Sequence, residues 1–521
     1  GGVRPETHLT FLPLFLGLIV LHGLWLALDR DSPKSFSQIP LFFVPALLWM
    51  LGSVLWVTPV PWRGWYEMVY TLQAFIMLWV LSNNVRTRSH LWVLIVISLT
   101  PALVAVFYGF FQFFQKSDEL VRVTTEYDLQ LSPEFLGRAT GAFADPNAFS
   151  VFLLVLLPAL LIAAAVKRLP IIFRALSLYI ALMFIVCIAL TKSYWAVALA
   201  VVLAAIVPWF CFRRIKRRLL FSILGLLVAS LAFWVMANFH SSFKEGFRSA
   251  LTEDGEGVRL VLWEEALNLA SENPLTGVGA GAYGAAFEQS PRVAMADRPI
   301  TPHNDYLLIL SQLGFVGAVL FGAPCLFVFL RAFGRWRKEP YEVTLSDTKE
   351  KVMSPQRFFL SLGLTGSIAF ALCLALTFVF YVPALTLYGV LFLSILVKNS
   401  FSQGIKGPEH QALRIAYFLL ATVVAVSYYL LCSNKLEGQA LEMRARQQLE
   451  HVIDTRVHVS GNVTLLDQVI QLYEDAVFVD PKNADAWIGL SASNCQLYFR
   501  SPSSFEDVSG RAVACAERAI E

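Results

Sequence analysis

Long apolar runs recur along this chain up to residue 432, and polar residues gather in the gaps between them. The runs fall at 9–28, 39–58, 66–83, 91–115, 147–166, 171–191, 193–211, 219–238, 304–332, 358–380, 383–398 and 412–432. A helix needs about 20 largely apolar residues to cross the hydrocarbon core of a bilayer, so the pattern predicts about 12 membrane-spanning helices. Very short connections join 171–191 to 193–211 and 358–380 to 383–398. Beyond 432 charged residues interleave with apolar ones at helical spacing, in "NKLEGQALEMRARQQLEHVIDTR" and "LDQVIQLYEDAVFVDPKNADAWIGLSASNCQLYF". The expected architecture is an all-α polytopic membrane domain over 1–432 and a helical tail over 433–521.

Composition points the same way. Hydrophobic residues make up 57% of the 521 and charged residues 15%, where a soluble chain carries about a quarter charged. Mean hydropathy is +0.60. A net charge of +3 is too small to argue for nucleic acid. The seven cysteines follow no CxxC or Cys/His ligand spacing. Cys187, Cys211, Cys325 and Cys373 lie in apolar runs and read as small packing residues. No cleavable signal is evident, and the opening "GGVRPETH", without methionine, reads as a tag remnant or a truncation.

Loop charge predicts orientation, because Lys and Arg concentrate on the cytoplasmic side. The basic loops contain Arg86 and Arg88; Lys167, Arg168 and Arg174; Arg213, Arg214, Lys216, Arg217 and Arg218; and the stretch from Arg331 to Arg357. They alternate along the run of spans, so all of them can be cytoplasmic together. Loops 59–65, 116–146 and 239–303, residue 192 and the tail then lie outside. An N-terminus outside fits a removed first helix.

The outer loops hold the candidate chemistry. Thr301-Pro302-His303-Asn304-Asp305-Tyr306 closes the long polar loop 239–303 at the edge of an apolar run. An imidazole titrates near neutrality and can take a proton from a hydroxyl. The same loop carries Arg259 in "GEGVRLVLWEEAL" and the glycine-rich "NPLTGVGAGAYG", Asn273 to Gly284, with Tyr283 inside it. A cation, a pliable backbone and a base on one loop suit an anionic, lipid-linked substrate at the bilayer face. Each also has a plainer reading. His303 could anchor at the interface, and Arg259 could be merely solvated. Asn304 and Asp305 are residues that satisfy free N–H groups at a helix start. Asp145-Pro146-Asn147 makes a turn and caps the following helix. Gly277, Gly279 and Gly281 form either an anion-binding nest or, on the better reading, a loop that folds back tightly.

Five segments, taken in order, resemble a known family. They are "GRATGAFADPNAFSVFL" from Gly137, "TKSYWAVAL" from Thr191, "RLVLWEEAL" from Arg259, "ENPLTGVGAGAYG" from Glu272 and "HNDYLLILSQLGFVGAVLF" from His303. Their spacing, over 137–321, is similar to that of the O-antigen ligases and their relatives, the lipid-linked glycan polymerases and the bacterial protein O-oligosaccharyltransferases. The resemblance implies a GT-C-like helical fold in the bacterial inner membrane. It also implies glycan transfer from a polyprenyl-pyrophosphate carrier to an acceptor hydroxyl, without nucleotide sugar or metal, on the outer face. His303 matches the family's histidine proposed to activate the acceptor, and Arg259 its arginine proposed to bind pyrophosphate. Asp145, Asn147, Gly279, Tyr283, Asn304 and Asp305 are candidate substrate contacts. Where the family carries Ser-Arg, this chain has Ser193-Tyr194-Trp195, so Lys192 or Arg138 is expected to supply that charge, with Arg63 as a further exposed cation. Residues two apart on a helix point about 200° apart, so Lys192 can substitute only where the helix is unwound.

In the tail, Tyr473, Ala476, Asp480-Pro481, Asn483, Ala486 and Trp487 are similar to a tetratricopeptide repeat, and "GRAVACAERAIE" to the start of another. Such repeats need neighbours, so a longer protein is expected. The expected partners are the bilayer, the lipid-linked glycan donor, a glycan, lipid or protein acceptor, and a protein bound by the repeats. A flippase for the same lipids is the rival class; it predicts broken or charged positions at the midplane of two related halves. A non-catalytic scaffold is the third.

Overall fold

The structure, a computed structural model, describes residues 5–28, 35–85, 87–114, 137–143, 145–239, 256–290, 299–344, 351–380, 382–401, 405–406, 410–454, 459–500 and 505–520. Arg86, most of loop 116–146, parts of loop 239–303 and the first four residues therefore lie outside the described residues.

Each predicted span coincides with a helix. In chain order the helices are α1 (Pro5–Leu28), α2 (Val44–Trp56, entered by a 3-10 turn at Ile39–Phe43), α3 (Pro61–Asn84) and α4 (Arg88–Phe114). Then come α5 (Pro146–Ala165), α6 (Ile171–Leu190), α7 (Tyr194–Cys211) and α8 (Ile215–Phe239). The long polar loop forms α9 (Glu256–Glu272) and the short α10 (Tyr283–Gln289) before α11 (Asp305–Lys338). Next along the chain are α12 (Pro355–Leu374) and α13 (Pro383–Ser400). The last four are α14 (Gln411–Asp454), α15 (Val459–Val479), α16 (Ala484–Arg500) and α17 (Phe505–Ile520). Two antiparallel pairings of two or three residues accompany the helices: β1 (Ser35–Phe36) with β4 (Ile405–Lys406), and β2 (Glu342–Thr344) with β3 (Lys351–Met353). Among the described residues, nine segments are long and apolar enough to cross a membrane; α1 contributes a shorter apolar stretch, Leu12–Leu28. The protein is an all-α polytopic membrane protein.

The chain divides into two compact units, the larger of which comprises Pro33–Pro59 and Tyr70–Glu409 with the first three residues. Its core lies where α4, α5, α6, α7, α12 and α13 meet, and α5 is buried along most of its length. Cys187, Cys211 and Cys373 pack there as expected, whereas Cys325, on α11, is exposed. α11 is two helical segments meeting at Gly314, whose φ of +67° breaks the ladder. The break is filled by the loop after α9. Val278 N–H donates to the Ser311 carbonyl and Gly279 N–H to that of Gln312, both at 2.9 Å, and Phe315 N–H donates to Pro274 O at 2.8 Å. Carbonyls freed by the kink thus find partners, which a nonpolar surrounding demands.

The second unit comprises Arg4–Ser32, Val60–Val69 and His410–Glu521. α1 packs along α14, and α15, α16 and α17 adjoin one another in sequence order. The boundary expected at 432/433 falls inside α14, which runs unbroken from Gln411 to Asp454. No proline interrupts it, so its apolar and charged halves form one rod. Tyr473 is buried against Gly489, where a Cβ would lie 2.2 Å from its ring. Asn483 caps α16 by accepting from Ala486 N–H at 3.1 Å, and Trp487 donates to Pro481 O at 2.9 Å.

Candidate active site

On α9, Arg259 and Trp263 are four residues apart and so share one face. Trp263 Nε1 donates to the carbonyl of Pro302 at 3.0 Å, one residue before His303. Leu262, Ala266 and Leu269 pack with Tyr283, Phe287 and Leu308 in a small buried cluster. That cluster locks α9 and α10 to the start of α11, which brings the Arg259 charge to bear on His303. The His303 ring is half-buried, its centroid 5.3 Å from that of Phe378. Burial first, and the Arg259 charge second, push its pKa down to about 4. At neutral pH the imidazole is therefore uncharged and able to accept a proton.

The backbone at this point is unusual. His303 has φ +52°, a left-handed conformation that costs a non-glycine residue roughly 1–2 kcal/mol. The next two residues hold it there. Asn304 is extended and caps α11, its side chain accepting from Tyr306 N–H at 3.1 Å and Leu307 N–H at 3.2 Å. Asp305 is 1% exposed. Its carboxylate accepts from Val379 N–H at 2.7 Å and Phe380 N–H at 3.2 Å. Asp305 thus fixes the loop between α12 and α13, and with it the Phe378 ring on His303.

A pair of cations lies where α6 ends. Among the described residues, Lys192 is the other non-glycine residue with positive φ, at +54°. The helix is unwound at 191–193, which meets the condition under which Lys192 can replace a family arginine. Arg138 Nε donates to Thr191 O at 2.8 Å. Burial first, and the Arg138 charge second, lower the Lys192 pKa. Two like charges held together at a half-buried turn make a place where an anion is favoured. Asp145 caps α5 by accepting from Asn147 N–H at 2.7 Å. Asn147 Oδ1 in turn accepts from Ser193 Oγ at 2.8 Å and Trp195 Nε1 at 3.3 Å. The Asp-Pro-Asn motif therefore anchors the Lys192 turn. Residues 178–322, running from α6 into α11 and containing both left-handed residues, match the O-antigen ligase family. They form an O-antigen ligase family domain. No curated protein matches the chain.

Within the ligase-family domain two expected substrate contacts are corrected. Tyr283 is fully buried, and its hydroxyl donates to Leu262 O at 3.1 Å, so it builds the floor beneath α9. Gly279, at φ +106°, presses on Thr58, whose Cα would lie 2.3 Å from an added Cβ. Its amide already serves Gln312 O, and Ala280 N–H serves Ser53 Oγ at 3.0 Å. The glycines thus fold the loop back into the α11 break and leave no open nest at 277–280. Outside the domain, Arg63 is not an exposed cation. It pairs with Asp485 at 2.6 Å within the second unit, where Tyr66 also donates to Lys435 O at 2.7 Å.

Three residues around the ligase-family site escaped the sequence reading. Phe378 carried no signal beyond its apolar run. Trp263 lies in the segment that begins at Arg259, but its indole bond to Pro302 needs the fold. Gln112, buried, accepts from Thr140 N–H at 3.2 Å and steadies the entry to the 3-10 turn Gly141–Phe143 that precedes Asp145; a glutamine inside an apolar helix was its one available sign. Among the described residues, no three His, Cys, Asp or Glu side chains come together to hold a metal ion.

Proposed function

We propose that this protein transfers a glycan from a polyprenyl-pyrophosphate carrier to an acceptor hydroxyl at the extracytoplasmic face of a bacterial inner membrane. The observation that carries the reading is the half-buried His303 ring, packed on Phe378 and presented by a backbone that the Arg259 helix holds through Trp263, inside the ligase-family domain. His303 takes the proton of the acceptor hydroxyl as that oxygen bonds to the anomeric carbon. The bond from that carbon to the carrier phosphate breaks, and the pyrophosphate leaves with the electron pair. Arg259 hydrogen-bonds its oxygens as a fork that stays charged. Lys192 and Arg138 offer two further cations for the same anion.

A base with pKa near 4 is always ready at neutral pH but pulls weakly on a hydroxyl. A bound pyrophosphate offsets the Arg259 charge that helps to depress it. The donor therefore strengthens the base that uses it. Asp305, Asn304, Asn147 and Asp145 act as positioning residues in this account. The tail, with its repeat-like helices, suits a protein acceptor or partner.

Reconstitution with a labelled polyprenyl-pyrophosphate oligosaccharide and separate lipid A core, glycan and peptide acceptors tests the reading. A labelled covalent product names the acceptor and supports transfer. Movement of the labelled lipid across the bilayer without any product would replace transfer with translocation.

A further inference from the structure

α11 begins beside His303, and beyond its break at Gly314 it runs unbroken to Lys338, roughly 36 Å at the rise of an α-helix. The far end of the larger unit therefore lies well away from the proposed chemistry. There the turn between α7 and α8, the first residues of α8, the end of α11, strands β2 and β3 and the start of α12 line a cavity of 540 Å³. Its walls carry Arg213, Arg218, Arg337, Lys351 and Arg357. Two carboxylates, Glu339 and Glu342, also line it, so cations predominate among the described residues.

The site is built rather than a scatter of surface charge. Arg357 is 7% exposed. Its Nη1 donates to Trp336 O at 2.9 Å and Glu339 O at 2.7 Å, which closes the end of α11. The guanidinium lies over the Trp336 ring, 4.3 Å from its centroid, and over the Tyr341 ring, 5.1 Å from its centroid. Its Nε is buried and makes no hydrogen bond to protein. Arg218 Nε is tied to Phe212 O at 2.6 Å, and the Tyr341 hydroxyl donates to Cys211 O. Two arginines are thus pre-set by backbone and aromatic contacts, while exposed Arg213, Arg337 and Lys351 stand around the opening.

We infer that this cavity binds a phosphate-bearing anion, held by the guanidinium groups at the end of the bundle opposite His303. Guanidinium groups already fixed by backbone and aromatic contacts lose little freedom when an anion binds. Arginine forks match phosphate oxygens better than they match a lone halide. The phosphate can belong to a phospholipid headgroup of the adjoining leaflet or to a soluble phosphate compound, since both present the same oxygens.

The test uses the full chain in nanodiscs of neutral lipid and a triple variant, Arg213→Gln, Arg337→Gln and Lys351→Gln, whose exposed positions leave the fold intact. One arm titrates inorganic pyrophosphate; the other adds phosphatidylglycerol and counts retained lipid by native mass spectrometry. The expected result is a saturable component that the triple variant weakens by at least about tenfold. Loss in the pyrophosphate arm assigns a soluble ligand, and loss in the phosphatidylglycerol arm assigns a headgroup. If the variant binds both probes as the parent does, the inference fails. If neither probe binds saturably to the parent, it fails as well. Binding at the Arg259 end survives in the variant and so cannot imitate the expected loss.

Discussion

The indole of Trp263 donates to the carbonyl of Pro302 at 3.0 Å, so the helix that carries Arg259 holds the backbone that presents His303. The arginine and tryptophan of the R-x-x-x-W segment thereby have different tasks. One supplies charge; the other fixes where that charge stands relative to the base. Replacing Trp263 with Phe keeps the ring and removes the donor. The expected result is intact folding with transfer reduced about tenfold, the cost of one misplaced positioning contact. A kcat loss at unchanged melting temperature checks it.

The pH profile depends on the depressed His303 pKa. A base works only when unprotonated, and in the free enzyme it stays so down to about 4. kcat/KM, which reports the free enzyme, is therefore expected to keep its acid limb near that value. Bound pyrophosphate counters Arg259, so the acid limb of kcat lies at higher pH. Two limbs that coincide near the ordinary imidazole value of about 6.5 would contradict the proposed coupling.

Asp305 holds the Phe378 loop through two backbone N–H groups. Asp305→Ala removes charge-assisted bonds worth about 1.5–3 kcal/mol each, so a lower melting temperature is expected together with lost activity. Phe378→Leu tests the same contact without touching the hydrogen bonds. It should leave stability within about 1.5 kcal/mol and slow transfer, read in the same assay.

At Lys192 the backbone and the charge separate. Lys192→Ala and Lys192→Gly both remove the cation and should raise KM for the lipid-linked donor. Glycine relieves the left-handed conformation, so the glycine variant is expected to be more stable than the alanine variant by roughly 1 kcal/mol. Thermal unfolding of the two in the same detergent decides.

Gly279→Ala is expected to unfold most readily of all. A Cβ there would stand 2.3 Å from Thr58 Cα, at a φ of +106°. Neither backbone can yield cheaply, and the loop that fills the α11 break would be displaced. The cost should reach about 3 kcal/mol or more, seen as a lowered melting temperature.

Much of this was legible in the sequence, because hydrophobic length is a strong signal. Each apolar run became a helix, and the very short turn at 191–193 was real. The candidate residues also came together in part, His303 with Arg259 and Arg138 with Lys192. The roles of their neighbours were not legible. Tyr283 and Gly279 look like loop residues in a string, but the loop folds into the break of α11 and buries them. Arg63 looks like a free cation until Asp485, more than 400 residues later, is placed beside it. Asp305 looks like a cap, yet its carboxylate serves a loop 74 residues on. Each of these depends on a long-range contact that no local pattern encodes.

The central claim is that His303 is the base of a glycan transfer. Its most direct test is release of labelled glycan from a polyprenyl-pyrophosphate carrier in the presence of acceptor, comparing the parent protein with His303→Ala and His303→Gln in proteoliposomes. The account predicts release by the parent and a loss of at least about a hundredfold in both variants, with donor binding retained through Arg259. Release at the parent rate by properly inserted variants would contradict it.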